Sequence, residues 1–169
     1  MEIVSLPSGR EVIVRPIRAS DGPELNAAYE RLSPQSKYRR FLAAKPHLSG
    51  SDTRYLVQVD GEDHFALVAT PVEDPTRILG VARFVRLPKT RDHAEFAIVV
   101  GDDFQREGLA AKLMERLAQA AAERGVTHFT ATMLAENGPA HRMARRIPGR
   151  VVRQRHEGTV DELEIELAA

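Results

Sequence analysis

Six consecutive residues, Gln105-Arg106-Glu107-Gly108-Leu109-Ala110, have the types and spacing to do chemistry. They follow an apolar run, Ala94 to Val100, that reads as a strand. They open a run from Gly108 to Arg124 that reads as a helix. A helix N-terminus leaves four backbone N–H groups unpaired and carries partial positive charge. Phosphate oxygens can take up those donors, and a glycine lets them come close to the backbone. The chemistry expected here is the binding of a diphosphate. The plainer alternative is a glycine that only turns the chain into the helix. Arg106 is correspondingly either a phosphate ligand or a solvated arginine.

Glu95 is the second such residue. It interrupts an otherwise apolar strand, Ala94-x-Phe96-Ala97-Ile98, where a carboxylate is costly to bury unless it has a partner or a task. A carboxylate with a raised pKa suits general-base work near neutral pH. The alternatives are an exposed edge position or an ion pair with an arginine. Asn137-Gly138 is a common turn pair. The six histidines, at 47, 64, 93, 128, 141 and 156, show no metal-ligand spacing, and no metal is expected. His93 and Glu95 share a strand face by period two, where they could pair. The arginines at 142, 145, 146, 150, 153 and 155 form either a solvated basic face or a contact for nucleotide phosphates or an acidic acceptor, with nucleic acid ranked third.

The elements that must position these residues are readable in order. Glu11 to Arg15 alternates as a strand, with a short strand at Ile3-Val4 before it. Ser20-Asp21-Gly22-Pro23-Glu24 starts a helix, Ser33-Pro34 a second and Ser49 a third that runs to Asp60. Phe65 to Ala69, Ile78 to Leu87 and Glu95 to Val100 form a meander. The helix from Gly108 sets Leu109, Leu113, Leu117, Ala120 and Ala121 on one face and ends at Gly125. A strand at His128 to Leu134, a short helix at Pro139 to Arg146 and two strands, Val151 to Arg155 and Leu163 to Leu167, complete the chain. The pattern predicts a mixed α/β fold: a mostly antiparallel sheet of about six to seven strands flanked by helices.

The 169 residues are expected to form one domain, 1–169. Twenty-four basic residues balance 24 acidic ones, which argues against a dedicated nucleic-acid binder. There is no cysteine, hence no disulfide and no thiol nucleophile. Any acyl transfer must therefore go directly to the acceptor or through another nucleophile. No apolar run approaches the roughly 20 residues of a membrane span, and Met1 to Ser5 lacks signal-peptide features. A soluble, cytoplasmic protein with no membrane partner is expected.

The element order, the hexapeptide at 105–110 and Asn137 after the next strand together resemble the GNAT superfamily of acyl-CoA-dependent N-acetyltransferases. Their signature, [Gln/Arg]-x-x-Gly-x-[Gly/Ala], is matched by Gln105 to Ala110. Arg15-Pro16-Ile17-Arg18, Asp21, Arg31 to Ser36 and Tyr38 to Phe41 look like the catalytic domain of bacterial Pat-type protein lysine acetyltransferases. The expectation is a stand-alone domain of that kind. The resemblance implies a sheet splayed at the acyl-CoA site and acetyl-CoA as co-substrate. It implies that backbone groups of Ile98, Val99 and Val100 pair with the pantetheine arm. Gln105, Arg106, Glu107, Gly108, Leu109, Ala110 and Ala111 would form the diphosphate cradle. Asn137 and Ala140 would line the pantetheine channel. Glu95 would be the general base toward a primary amine, a protein lysine or a small amine. A non-catalytic acyl-CoA sensor is the third reading, and the family's frequent dimers make a homodimer compatible with it. One departure stands out. Many members carry a general-acid tyrosine where this chain has Ala144, with His141 nearby as a substitute. Ile147-Pro148-Gly149 also replaces the usual Gly-Phe ending.

Overall fold

The computed structural model describes residues 1–168. Among them, eight strands form one sheet: β1 (Glu2–Ser5), β2 (Glu11–Pro16), β3 (His64–Pro71), β4 (Gly80–Arg86), β5 (His93–Val100), β6 (His128–Leu134), β7 (Gly149–Glu157) and β8 (Val160–Leu167). Five α-helices flank it: α1 (Gly22–Glu30), α2 (Pro34–Phe41), α3 (Gly50–Val57), α4 (Leu109–Glu123) and α5 (Gly138–Ala144). The strand order is β1-β2-β3-β4-β5-β6-β8-β7. Every pairing is antiparallel except β5 with β6, which are joined by the α4 crossover.

Local chemistry explains the boundaries. Ser33 caps α2 by accepting the Ser36 N–H at 3.1 Å, and Pro34 follows at the first helical position. Ser49 and Asp52 form a reciprocal capping box on α3. Gly125, at φ +78°, ends the α4 segment in the left-handed region.

Leu109, Leu113, Met114 and Leu117 of α4 are fully buried against one face of the sheet, where Phe84, Phe96 and Phe129 pack on one another. Leu25 of α1 and Leu56 and Val57 of α3 cover the other face over Ala66, Val68 and Val81. β5 therefore alternates between two environments. Ala94, Phe96 and Val100 are buried, while Glu95 points to the α1–α3 side and is exposed. No helix among the described residues is long and apolar enough to cross a membrane.

The sheet has eight strands rather than six or seven because Ile3-Val4 pairs fully, with Glu2 to Ser5 opposite Val14 to Glu11. β7 also begins earlier than its β-branched core, at Gly149, which lies opposite Leu167. Gly149 sits at φ +141°, and a Cβ there would collide with the Glu166 carbonyl. Ile147-Pro148-Gly149 is thus a strand entry that only glycine can make, rather than a simple helix breaker.

Candidate active site

β5 and β6 are paired only at His93↔His128, Ala94↔Phe129 and Glu95↔Thr130. Beyond Glu95 the two parallel strands separate, while β5 stays bound to β4 through Val100 opposite Gly80. The edge of β5 from Phe96 to Val100 that faces β6 is left without a strand partner, and this is the expected splay. An extended ligand can pair with such an edge as an added strand does. Ile98 and Val100 turn their backbone groups to it. Val99 does not, because it alternates in step with His93 and Gly101, which bond to Leu87 and Leu79, so its N–H and C=O face β4. The Gln105 side chain donates to the Val100 carbonyl at 3.2 Å and to Ser36 Oγ at 3.4 Å, tying the end of the edge to α2.

The turn after β5 runs through a short 3-10 segment, Asp102–Phe104, into the hexapeptide. Arg106 (φ +70°) and Gly108 (φ +87°) both adopt left-handed backbone. Such alternation aims successive N–H groups into one concavity. Among the described residues, none accepts a hydrogen bond from the backbone N–H groups of Arg106, Glu107, Gly108, Leu109, Ala110 or Ala111. Six free donors at the start of a 15-residue helix make a site for an anion. Leu109 contributes only its backbone, because its side chain is fully buried in the core. The Glu107 carboxylate lies 3.7 Å from Arg10. A Cβ on Gly108 would lie 2.8 Å from Pro7 Cδ, so the glycine is needed against the β1–β2 turn as well as for its φ.

Glu95 opens onto a cavity of about 360 Å³ between β4, β5 and the α2–α3 region, lined also by Arg40, Lys45, Asp52, Tyr55, Arg83 and Ala97. The carboxylate is exposed at this cavity. It makes no ion pair or hydrogen bond with a described residue. Burial pulls the pKa of Arg40 below its ordinary value, and the charge of Glu95 acts against that fall. α2 links the two halves of the site: Ser36 touches Gln105 at the cradle, and Arg40 and Phe41 line the cavity.

On the far wall of the splay, Asn137 is buried and caps α5, its Oδ1 accepting the Ala140 N–H at 3.2 Å. Its Nδ2 donates to no described residue. Ala140 packs partly against the main core. Ala144 is almost wholly buried there and offers no proton donor. His141 is held close to the buried Asp161: its Nε2 lies 3.2 Å from Oδ2 but forms no hydrogen bond, while His156 Nδ1 reaches Oδ1 at 2.6 Å.

His93 does not pair with Glu95. Its Nδ1 meets Asp92 at 2.9 Å and its Nε2 meets Glu164 of β8 at 2.7 Å. Burial opposes the imidazolium, but these two carboxylates outweigh it and raise the pKa. Its ring stacks on His128 at 4.4 Å. Asp92, His93 and His128 bring ligand atoms within 4.8 Å of one another, a cluster the linear spacing of the histidines did not reveal.

Sequence reasoning also passed over Arg83. It is 5% exposed in the middle of the apolar strand Gly80-Val-Ala-Arg-Phe-Val. The argument applied to Glu95, that a charge in an apolar strand needs a partner or a task, singles it out equally.

The GNAT acetyltransferase family model matches residues 25–148. The chain is 32% identical over 124 residues to the acetyltransferase PA5475 of Pseudomonas aeruginosa, covering 73% of this chain and 66% of that protein. It is 33% identical over 153 residues to the acetyltransferase Pat of Mycolicibacterium smegmatis, covering 89% of this chain and 45% of that one. It therefore spans only part of the length of both curated relatives. The crystal structure of the GNAT domain of S. lividans PAT superposes with a TM-score of 0.90 at 32% identity, over 98% of this chain and 96% of that domain. The splayed sheet, the cradle before α4 and these likenesses agree: the chain belongs to the GNAT family of acetyltransferases.

Proposed function

We propose that this chain moves an acetyl group from acetyl-CoA to a primary amine, a protein lysine, by direct attack within a ternary complex. The observation that carries the reading is one juxtaposition. The unpaired edge of β5 begins at Phe96, next to Glu95 at the acceptor cavity, and leads to the six free N–H groups at the start of α4. The diphosphate would sit on those N–H groups with Arg106 alongside. The pantetheine arm would pair with the backbone of Ile98 and Val100, between them and the wall formed by Asn137 and Ala140. This arrangement brings the thioester toward the cavity.

The acceptor amine enters protonated near neutral pH. Its proton passes to Glu95, through water where the two do not touch. The freed lone pair attacks the thioester carbonyl carbon. The N–C bond forms, and negative charge develops on the carbonyl oxygen, where the β5 N–H of Val100 would stabilise it. The C–S bond then breaks, and the nitrogen gives up its second proton to water. Ala144 cannot donate a proton, so the sulfur leaves as a thiolate. This is tolerable because a thiol pKa of about 8.5 makes it a fair leaving group. No cysteine is present to form an acyl-enzyme.

A small amine is the second reading, favoured by the charged side chains of Arg40, Lys45 and Arg83 in the cavity lining. An acetyl-CoA consumption assay over a panel of lysine peptides and a panel of small amines separates the two. Acetyl-CoA binding without transfer to any acceptor would instead indicate a sensor.

A further inference from the structure

The cavity at Glu95 carries an unequal set of charges. Lys45 is matched by Asp52 at 2.9 Å. Arg40 and Arg83 remain, with Glu95 as the one carboxylate left in the lining. Arg83 has no acidic partner among the described residues. Its Nη1 donates to the Leu56 carbonyl and to His64 Nε2, both at 2.9 Å. A guanidinium has five N–H donors, so the Nε and Nη2 hydrogens are left over. The Nε hydrogen and one Nη2 hydrogen lie side by side on an edge that takes a carboxylate in a bidentate pair. Burying a cation with no counter-charge is costly, and here it pulls the Arg83 pKa down to about 9. The surrounding geometry holds the side chain in place despite that cost. Leu56 is the next-to-last residue of α3, and the Tyr55 ring lies tilted against His64 with centroids 5.0 Å apart.

We infer that the acceptor presents a carboxylate beside its amine, and that the Nε–Nη2 edge of Arg83 binds it, with Arg40 adding charge, while Glu95 faces the amine. The recognised chemistry is an amine next to a carboxylate. It can come from a lysine with an acidic side chain at its flank or from a free amino acid. This assignment rests on the acetyl-transfer reading for its consequence in turnover, but the carboxylate site itself does not require turnover.

The test has two arms. In the first, acetylation is measured on lysine peptides flanked by Glu or Asp against the same peptides with Gln or Asn, and on free amino acids against their amides. A charge-assisted bidentate pair is expected to favour the acidic acceptor by about 10- to 100-fold in kcat/KM. The R83M variant should bring that ratio to within about 3-fold of unity, and R83K, which keeps the charge but not the fork, should lie between. The peptide and amino-acid arms identify the source. In the second arm, glutarate and uncharged glutaramide are titrated against the thermal melt of the unmodified protein and of both variants. Glutarate should raise the wild-type melt and lose that effect in R83M. Equal response to glutarate and glutaramide in the wild-type protein overturns the assignment, as does acetylation indifferent to the flanking charge. Absence of acetylation alongside glutarate binding that depends on Arg83 counts against the transferase reading and leaves the carboxylate site standing.

Discussion

Replacing His64 by glutamine should remove an acid-sensitive weakness from this fold. Arg83 Nη1 donates to His64 Nε2 at 2.9 Å, so the imidazole must accept there and must be neutral. Protonation would break the bond and set two cations against each other. Burial first, and the charge of Arg83 second, push the His64 pKa from 6.5 to about 4, with Asp60 acting weakly the other way. The unfolded chain therefore binds more protons than the folded one between about pH 6.5 and pH 4. Stability present above that window is lost as the pH falls through it. At pH 5 the full shift corresponds to about 2 kcal/mol as an upper bound. Water in the adjoining cavity screens part of it, leaving about 1 kcal/mol. The glutamine of H64Q can still accept from Arg83 through its Oε1 but does not titrate. Urea denaturation at pH 7.5 and pH 5.0 on both proteins isolates the difference, because the carboxylates common to both cancel. The wild type should lose about 1 kcal/mol more than H64Q. Equal losses would refute the claim that His64 is held neutral by Arg83.

Two glycines give further outcomes. G108V places a β-branched residue at φ +87° with its Cβ 2.8 Å from Pro7. It should lower stability by about 2–4 kcal/mol and weaken acetyl-CoA affinity by calorimetry, whereas native affinity in a folded variant would remove this turn from the binding site. G149A drives a Cβ into the Glu166 carbonyl and should cost about 3 kcal/mol or more by chemical denaturation; a loss under 1 kcal/mol would mean that β7 can shift away from β8 without penalty.

What was legible in the sequence was what local chemistry decides. The caps at Ser33 and Ser49 act over three residues, and α2 and α3 start where they indicate. The apolar stripe of α4 and the span of β6 were readable for the same reason, since one face of each meets the core. What depends on a distant partner was not. The requirement for glycine at 149 comes from the backbone of Glu166 on another strand. The partner of His93 proved to be Glu164, which only the β6–β8 pairing brings near. Glu95 was read as a charge in a buried strand. The sequence cannot show that the helices leave a cavity open over that part of the α1–α3 face. Arg83 could have been found by the same reasoning but lacked a pattern match to draw attention to it. Its meaning comes from the cavity and from the hydrogen bonds that occupy only one end of its fork.

The central claim is that Glu95 takes the acceptor's proton while the β5 edge and the cradle before α4 hold acetyl-CoA. It is tested most directly by measuring both properties on E95Q, which keeps the shape and removes the base. Calorimetry should give an acetyl-CoA affinity equal to that of the unmodified protein. Steady-state acetylation of the best acceptor should fall by about 10²-fold or more, with the loss in kcat. Unchanged turnover in E95Q would contradict the claim.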